Sequence, residues 1–465
     1  MNKDAILFDA NAQVLVIGLG RSGRSSIEVL RARGAHIVAT DESPQALAAA
    51  QADLAQPGVR FIAPEHLAPV LSSLDVAVVS PGVPMTSPVV RMAQDARLPV
   101  LSEIEVAYRL SKAPIVAVTG TKGKSTTTAL IGALFRAAGR ETYVGGNIGN
   151  PLIGETDKAP ANSWVIAEIS SFQLESIRSF KPKISTILNL SPDHLDRYYS
   201  MDEYAEAKYR IFANQGKGDI FVGNLDDELI CQLAQSEEAS RVPCPMLWFS
   251  RHAHRNATLY VKRERIVWSP PTGDPRPIEI MPVDEIALLG RHNVDNVLAA
   301  VLIGLAAGIE PEVLRQGVRN FEALQHRLHP IATLDGVTYI NDSKATNPGA
   351  VVAALEALDA PTILIAGGRA KRTEFLAMGR AIDAHVRCVL LLGEASDDIA
   401  AMVKRANIET VASLEAAVQR AQQLALPGDM VLLSPGCASF DMFASAEERG
   451  NQFAQFVRAL PQSPA

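Results

Sequence analysis

The sequence contains few cysteines, and they are not arranged as a metal site or a redox pair. Four occur in 465 residues, and no two of them form a C-x-x-C motif: Cys231, Cys244, Cys388 and Cys437. Closely spaced cysteine pairs are the usual sign of a structural zinc site or a thiol redox centre. We therefore expect free thiols, which are typical of a protein in the reducing cytoplasm.

Long apolar segments and an excess of positive charge are also missing. The longest apolar run, residues 297–309, is too short to cross a bilayer and includes two glycines. The first residues do not combine a basic segment with an apolar one, so no secretory signal is expected. Lysine and arginine number 44 against 51 acidic residues, which gives a net charge of −7. This charge balance argues against a nucleic-acid partner, and the short apolar run argues against a transmembrane protein.

The rest of the composition is that of a globular α/β protein. Hydrophobic residues make up 48% of the chain, and its length favours about three domains. Strand patterns alternate with helix patterns, which is typical of parallel sheets covered by helices. We expect a Rossmann-like domain at residues 1–112, a central domain with a parallel sheet at 113–323 and a second Rossmann-like domain at 324–465. Short strands separated by proline and glycine predict a small β excursion near residues 243–283.

A glycine motif follows the first predicted strand, residues 14–17. Gly18, Gly20 and Gly23 form G-x-G-x-x-G, and Asp41 ends the next strand. This spacing is the dinucleotide-binding pattern, in which a diphosphate lies on a helix N-terminus. Taken alone it favours an NAD-dependent oxidoreductase, although the same turn would hold a UDP-sugar. Glycines needed only for close packing of helix and strand remain the alternative.

A second glycine loop lacks one residue of the usual phosphate-binding pattern. Val118 stands where G-x-x-x-x-G-K-[ST] has its first glycine, yet the loop still ends in Gly123, Lys124 and Ser125. A predicted strand at 115–118 precedes it, and a predicted helix at 126–138 follows. Backbone amides, the lysine charge and the serine hydroxyl together predict a nucleoside triphosphate bound with Mg²⁺. We therefore expect the central domain, residues 113–323, to be a P-loop-type ATPase domain.

Polar side chains follow several predicted strands, where an α/β site is expected. Glu168 is either a Mg²⁺ ligand or a helix-capping acid. His194 is either a cation ligand or a residue on a helix that Ser191 would cap. Lys208 has the pattern of an ordinary solvated helix lysine. Residues 341–347 concentrate so many functional groups that we favour a site there over a capping loop.

Eight segments of the chain, taken together, resemble the Mur ligase family, and within it the members that add glutamate. In chain order these segments are 120–126, 145–149, 168–175, 193–198, 290–293, 326–327, 341–347 and 433–441. The resemblance implies three domains that bind a UDP-sugar, ATP and an amino acid. It implies that ATP converts the carboxylate of UDP-N-acetylmuramoyl-L-alanine to an acyl phosphate, which the amine of D-glutamate then attacks. This reaction belongs to cytoplasmic peptidoglycan synthesis.

The resemblance also implies roles for individual residues in catalysis and in nucleotide binding. Catalytic roles fall on Lys124, Glu168, His194, Lys208 and Lys344. ATP-binding positions are Gly120, Thr121, Lys122, Gly123, Lys124, Ser125, Thr126, Asn293, Arg327 and Asp342. Mg²⁺ ligands are Ser125, Glu168, His194 and Lys208, the last as a carbamate formed with CO₂.

For the UDP-sugar and for glutamate, the resemblance implies two further sets of binding residues. UDP-sugar positions are Gly18, Gly20, Arg21, Ser22, Gly23, Asp41, Glu42, Gly82 and Asn147. Glutamate positions are Thr346, Lys371, Ser439 and Phe440. A monomer is the expected state, with these small molecules as its expected partners.

Several residues depart from the family's usual pattern and leave the amino acid open. They are Lys122, Leu328, His329, Gly436, Phe440, Ala446 and the basic segment 369–372. Most of them concern the amino-acid pocket, so L-glutamate remains an alternative to D-glutamate. Three further functions stay open at this point: a folylpolyglutamate synthase-like ligase, an NAD-dependent oxidoreductase and a non-catalytic nucleotide-binding regulator.

Overall fold

The computed structural model forms two compact units that contain three sheets. It describes residues 8, 11–193, 197–235, 238–271, 276–358, 360–370 and 374–461. The first unit comprises Met1–Glu285 and Asp295–Arg319, and the second comprises Ile286–Val294 and Asn320–Ala465. Within the described ranges, no helix has the length and apolar content needed to cross a membrane.

The first sheet has five parallel strands in the order β3-β2-β1-β4-β5. Its elements are β1 (Gln13–Ile17), α1 (Arg21–Ala32), β2 (His36–Thr40), α2 (Pro44–Leu54), β3 (Val59–Phe61), β4 (Val76–Val79), α3 (Pro88–Asp95), β5 (Val100–Ser102) and α4 (Glu103–Leu110). Short 3₁₀ helices span Pro64–His66 and Ala68–Ser73. Helix starts follow the sequence signals, since Ser43 caps α2 with Pro44 directly after it.

The second sheet has nine strands in the order β14-β13-β12-β11-β10-β9-β6-β8-β7. Its strands are β6 (Ile115–Thr119), β7 (Thr142–Gly146), β8 (Trp164–Glu168), β9 (Ile184–Ile187), β10 (Ile220–Asn224), β11 (Met246–Ser250), β12 (Leu259–Lys262), β13 (Arg265–Trp268) and β14 (Ile278–Pro282). Strands β12, β13 and β14 pair antiparallel, whereas the other neighbours are parallel. These antiparallel strands are the predicted β excursion.

The helices of this part of the chain connect the parallel strands and follow β14. They are α5 (Lys124–Ala137), α6 (Leu152–Lys158), α7 (Ser171–Leu174), α8 (Met201–Tyr209), α9 (Glu228–Gln232), α10 (His292–Ala306) and α11 (Pro311–Arg319). Short 3₁₀ helices span Arg210–Phe212, Glu238–Arg241 and Val283–Glu285. One continuous apolar core includes residues from both sheets, among them Ile27, Ile104, Ile153 and Phe180.

The second unit has six strands in the order β15-β16-β20-β17-β18-β19, with β15 antiparallel to β16 and the rest parallel. Its elements are β15 (His329–Leu334), β16 (Val337–Asn341), α12 (Pro348–Glu356), β17 (Thr362–Gly367), α13 (Leu376–His385), β18 (Val386–Leu392), α14 (Ser396–Ala400), β19 (Asn407–Thr410), α15 (Leu414–Leu424), β20 (Met430–Gly436) and α16 (Ala446–Arg458). Separate apolar cores include Ile340 with Leu364, and Tyr339 with Ile365. Adjacent residues of one strand thus enter different cores, as the alternation of side chains in a strand requires.

These elements confirm the α/β class and the three sheets, but two local expectations were wrong. The helix after the phosphate loop begins at Lys124 rather than at residue 126, because the glycine turn leads directly into it. The helix that Ser191 would cap does not begin at Pro192, since Ser191 to Asp193 are irregular, and residues 194–196 lie outside the described part of the chain. The Ser191 amide instead donates to Thr121 Oγ1 at 3.1 Å.

Candidate functional site

The phosphate loop lies between β6 and α5 and depends on two glycines. Gly120 and Gly123 have φ values of 149° and 82°, in the region that favours glycine. A Cβ on Gly123 would lie 2.2 Å from Oδ1 of Asn296, so a side chain there would also displace Asn296. The turn therefore delivers the N-terminus of α5 with unobstructed backbone, as a phosphate site needs.

Side chains from distant segments hold this loop in place. The Lys122 amide donates to Asn189 Oδ1 at 2.8 Å, and Asn189 Nδ2 donates to the Lys122 carbonyl at 3.1 Å. Thr121 Oγ1 lies 3.2 Å from the hydroxyl of Tyr204. The roles of Asn189, Tyr204 and Asn296 were not predicted, because no local pattern indicates a contact across so many residues. The loop is thus preorganised by contacts from the segment after β9, from α8 and from α10.

Lys124 and Ser125 occupy the positions expected of phosphate and metal ligands. The Lys124 ammonium donates to the carbonyls of Gly120 and Thr121, at 3.0 and 2.8 Å, and so lies over the loop. Ser125 is buried in the first turn of α5. A fixed positive charge beside helix amides is an arrangement that attracts a polyphosphate.

Glu168 ends β8 directly beside the phosphate loop, opposite Val118 of β6. Its side chain is 2% exposed. Oε1 accepts a hydrogen bond from Asn147 Nδ2 at 2.8 Å, while Oε2 is buried without a partner among the described residues. The capping alternative is wrong, because Ser170 caps α7 and forms a capping box with Gln173. An unpartnered carboxylate oxygen in this position fits a divalent cation.

The described residues contain no cluster of three or more His, Cys, Asp or Glu side chains that could hold a metal by themselves. That is compatible with Mg²⁺, which usually keeps water and phosphate oxygens and takes only one or two carboxylates. Ser125 and Glu168 fit this limited donor set. His194 lies outside the described residues.

Lys208 is not the solvated lysine that its helix pattern predicted. The side chain is 2% exposed, and Nζ donates to the Gly120 carbonyl at 2.9 Å and lies 3.5 Å from Thr119 Oγ1. Burial, and then the charge of Lys124, lower the pKa of Lys208 to about 7. The expectation was wrong because α8 turns this lysine towards the phosphate loop. A lysine near neutrality is partly an uncharged, nucleophilic amine.

A cavity of about 290 Å³ lies within the first unit. Its lining includes four of the predicted UDP-sugar residues: Arg21, Ser22, Gly82 and Asn147. It also includes Ser80, Pro81, Gly146, Gly149, Pro151 and Gln173, which were not predicted. The signal for Gln173 was its place in the segment that begins at Glu168. A guanidinium and neutral polar groups around such a cavity suit an anionic, sugar-like ligand.

The glycine motif beside this cavity serves packing as well as ligand access. Gly18 has φ 86° and its carbonyl accepts a hydrogen bond from Ser80 Oγ at 2.7 Å. The carboxylate of Asp41 accepts from the amides of Leu19 and Ser43, at 2.6 and 2.8 Å. Gly18, Gly20, Gly23, Asp41 and Glu42 are not among the cavity-lining residues. Asp41 thus shapes the turn with both of its oxygens.

Gly23 and Gly20 are expected to respond very differently to alanine. A Cβ on Gly23 would lie 1.9 Å from the Gly18 carbonyl oxygen, whereas one on Gly20 would meet no atom within 4 Å. We expect Gly23→Ala to lower the free energy of unfolding by about 1–3 kcal/mol, as overpacked sites do. Urea denaturation of both variants measures this. Equal stability of the two would contradict the packing role of Gly23.

In the second unit, residues 341–347 form a loop at the end of β16. Asp342 is buried, with Oδ2 accepting from Ser434 Oγ at 2.8 Å and Oδ1 from the Leu328 amide at 3.2 Å. Burial raises the pKa of Asp342 to about 7. Lys344 forms an ion pair with Glu447, and Asn347 caps α12. The capping alternative therefore applies to Asn347, while Asp342 and Lys344 have other contacts.

A buried arginine that was not predicted joins this loop to the end of β20. Arg449 of α16 is 3% exposed and donates to Ser343 Oγ, to the Ser343 carbonyl and to the Cys437 carbonyl. Ser439, two residues beyond Cys437, is buried, whereas Phe440 is 62% exposed. Arg449 therefore orders both segments that carry the predicted residues of this unit.

The remaining predicted residues have simpler surroundings. Asn293 Nδ2 donates to the Leu289 carbonyl at 2.6 Å. Arg327 lies between His326 and Leu328, whose φ values are 64° and 41°. The Thr346 amide donates to the Lys344 carbonyl at 2.9 Å. Lys371 lies outside the described residues.

Comparison with known proteins gives three family matches in order along the chain. Residues 12–102 match the Mur ligase MurD-like N-terminal domain, 118–304 the Mur ligase middle domain, and 326–437 the Mur ligase glutamate ligase domain. Two curated relatives carry the name UDP-N-acetylmuramoylalanine--D-glutamate ligase. The protein from Koribacter versatilis is 41% identical over 97% of this chain and 98% of its own. The one from Pelotomaculum thermopropionicum is 43% identical over 96% and 98%.

Solved structures resemble the chain in fold. A pseudomurein peptide ligase type C from Methanothermus fervidus has a TM-score of 0.59 at 16% identity, covering 96% of this chain and 99% of its own. UDP-N-acetylmuramate-alanine ligase from Thermotoga maritima has a TM-score of 0.57 at 17% identity, covering 97% and 100%. At these identities the likeness concerns the fold alone.

Proposed function

Because the chain belongs to the Mur ligase family, we propose that it joins D-glutamate to UDP-N-acetylmuramoyl-L-alanine with ATP. The curated relatives named for this reaction match it over nearly their whole length. The reaction is an ATP-dependent amide ligation in peptidoglycan precursor synthesis. We further propose a cytoplasmic monomer with small-molecule substrates.

One contact carries the proposal at the level of the site. Asn147 lines the cavity of the first unit and donates to Glu168, which lies beside the phosphate loop. A sugar nucleotide in the cavity would therefore have the phosphate loop next to one wall. Its terminal carboxylate and the γ-phosphate of ATP could meet there. Bringing two reactants together in this way supplies a large part of catalysis in phosphoryl transfer.

The first step then depends on positioning and charge. Lys124 and the N-terminus of α5 would hold the phosphates of ATP in the loop. Ser125 and the unpartnered oxygen of Glu168 would hold Mg²⁺, which when bound neutralises charge on the phosphate oxygens. Arg21, Ser22 and Gly82 would orient the sugar nucleotide from the opposite wall. The substrate carboxylate attacks the γ-phosphorus, and ADP leaves.

We propose that Lys208 acts as a carbamate, which would give a second cation its oxygen ligands. The uncharged amine attacks the carbon of CO₂, an N–C bond forms and one proton leaves to solvent. Support comes from the burial of Lys208, the lowered pKa and its contacts with the phosphate-loop strand. His194 completes this proposed site.

The domain assignment remains part of the proposal. Residues 1–112 would bind the UDP-sugar, 113–323 would bind ATP, and 324–465 would carry the amino-acid groups. Asn293, Arg327, Asp342 and Lys344 would serve the nucleotide. Thr346, Lys371, Ser439 and Phe440 would serve glutamate. The amine of glutamate then attacks the acyl phosphate, and phosphate leaves.

An NAD-dependent oxidoreductase is less well supported than it was from the glycine motif. In the dinucleotide-binding pattern the acidic residue receives a ribose hydroxyl. Here the two oxygens of Asp41 accept from backbone amides, and Asp41 does not line the cavity. Hydride transfer would also leave the second glycine loop, with Lys124 and Ser125, without a functional role.

Phosphate release from ATP and Mg²⁺ with UDP-N-acetylmuramoyl-L-alanine tests the function. D-glutamate, L-glutamate, L-lysine and no amino acid are compared. We expect release with D-glutamate and at least about tenfold less with the others, because the pocket must bind the α- and γ-carboxylates while the amine points at the acyl phosphate, and only one configuration of the α-carbon allows this. Release only with L-glutamate would support the same mechanism but would identify L-glutamate, rather than D-glutamate, as the substrate. No release with any of them would overturn the proposal.

A further inference from the structure

One short helix next to the first sheet contacts two segments that accompany the second sheet. The first segment leads from the cavity wall into α6, and the second follows the helix that carries the cavity residue Gln173. Helix α4 begins directly after β5 and carries Glu103 and Glu105 in its first turn. Both side chains are essentially excluded from solvent, at 1% and 0% exposure. Neither of them appears in the proposed mechanism. Buried carboxylates are costly unless hydrogen bonds stabilise them, so their partners indicate what they do.

Glu103 holds the segment that forms one wall of the cavity. Its Oε1 accepts a hydrogen bond from the Ile153 amide at 2.7 Å, at the start of α6. Residues 146–151, which include Asn147, Gly149 and Pro151 of the cavity lining, lead directly into this helix. A hydrogen bond within this wall joins its two ends, since the Gly146 amide donates to the Asn150 carbonyl at 2.8 Å. Glu103 therefore fixes where the wall ends.

Glu105 holds a second segment, beyond the cavity residue Gln173. Its two oxygens accept from the amides of Arg178, Ser179 and Phe180, each at 2.9 Å, and from the Ser179 hydroxyl. Arg109 adds an ion pair at 2.8 Å. Arg210 donates at 2.7 Å to the carbonyls of Leu174, the last residue of α7, and of Ile177, which directly precedes this segment.

We propose that Glu103 and Glu105 are positioning residues that set the cavity's width for the sugar nucleotide. Through them, α4 places the Asn147 wall and the Gln173 helix against the Arg21 side, which belongs to the first sheet. The identity of the ligand, a sugar nucleotide, rests on the proposed function, whereas the positioning role of the two glutamates rests on their contacts. A second link between the sheets, the ion pair of Arg33 with Asp157 at 2.7 Å, is about one-third exposed and serves as the control. Such surface pairs contribute little.

The two glutamates are expected to respond differently to isosteric substitution. Glutamine at position 103 keeps an oxygen that can accept from the Ile153 amide, and the other oxygen of Glu103, Oε2, has no hydrogen-bond partner among the described residues that the NH₂ group would replace. Glutamine at position 105 presents an NH₂ group to amides that donate. We therefore expect Glu103→Gln to bind UDP-N-acetylmuramoyl-L-alanine within about threefold of the wild type. Glu103→Ala and Glu105→Gln should bind it at least about tenfold more weakly, because small misplacements are costly in a preorganised site.

The experiment measures Kd for UDP-N-acetylmuramoyl-L-alanine by calorimetry and KM for ATP, with Asp157→Asn as the control. The KM for ATP should stay within about twofold, and the control should match the wild type. If Glu105→Gln does not fold, Ser179→Ala replaces it and should weaken sugar binding about threefold.

The possible outcomes separate this inference from the proposed function. Unchanged sugar binding in folded Glu103→Ala and Glu105→Gln overturns the inference alone. An equal loss for ATP and the sugar also overturns it, because the effect would then be general. A wild type that binds no sugar nucleotide overturns the proposed function and this inference together.

Discussion

Replacing Lys208 with alanine is expected to lower kcat at least about a hundredfold, which is typical for loss of a group that stabilises transition-state charge. The lysine is buried against the phosphate loop, donates to Gly120 and is the proposed carbamate. Short-chain carboxylic acids should restore part of the activity, because a carboxylate can replace the carbamate oxygens. Initial rates of phosphate release with and without acetate measure both effects.

Lys217→Ala is the control for this result, since Lys217 is a solvent-exposed lysine of the same unit. Incubation with ¹³C-bicarbonate should also give a carbamate signal by NMR in the wild type and none in Lys208→Ala. Full activity of Lys208→Ala would reduce the lysine to a packing role. If Lys208→Ala is inactive, is not rescued by acids, and the wild type gives no carbamate signal, the carbamate proposal is wrong. The amine of Lys208 would then itself be required for activity.

Replacing Lys124 with alanine should abolish measurable ATP turnover while the protein remains folded. The ammonium is the fixed positive charge of the phosphate loop, and its hydrogen bonds go to the carbonyls of Gly120 and Thr121. The loop keeps its other supports, above all the two hydrogen bonds between Asn189 and Lys122. Turnover should fall at least about a hundredfold, since a phosphate ligand acts on the charge that moves in the reaction.

Phosphate release and thermal unfolding of Lys124→Ala together test this expectation. Lys112→Ala, at an exposed position just before β6, is the control for removal of one lysine. A midpoint of unfolding close to that of the wild type would show that the loss is chemical. Retained turnover would mean that the loop does not bind the transferred phosphate.

Much of the site could be predicted because its signals are local. The glycines at 18, 120 and 123 are needed by backbone conformation, which the φ values bear out. Lys124 and Ser125 follow from the order strand, turn and helix. Strand ends could be found because buried parallel strands are continuous apolar runs. Such features depend on residues that are close together in the chain, and so short sequence patterns are enough to predict them.

Lys208 is the clearest case that local pattern could not resolve. In the sequence, Lys208 belongs to a predicted helix and lies near Glu206 and Arg210, a pattern that is typical of a solvated helix face. In the structure its Nζ bonds to Gly120, 88 positions away, and lies 4.6 Å from the ring centre of Tyr204. Its burial, and with it the pKa near neutrality, comes from the position of α8, which places the ammonium beside Thr119 at the end of β6 and beside the Gly120 carbonyl.

The sequence by itself therefore determined the α/β class, the two glycine turns that follow β1 and β6, and the family. Each of these depends on short patterns of residue type, and the eight resembling segments kept their order. The tertiary structure alone decided which oxygen of Glu168 has no partner, that Asn189 and Asn296 support the phosphate loop, and that Glu103 and Glu105 join the two sheets. These are contacts between residues far apart in the chain. Burial and hydrogen-bond partners exist only once the chain is packed, and they set the charge state and reach of each group.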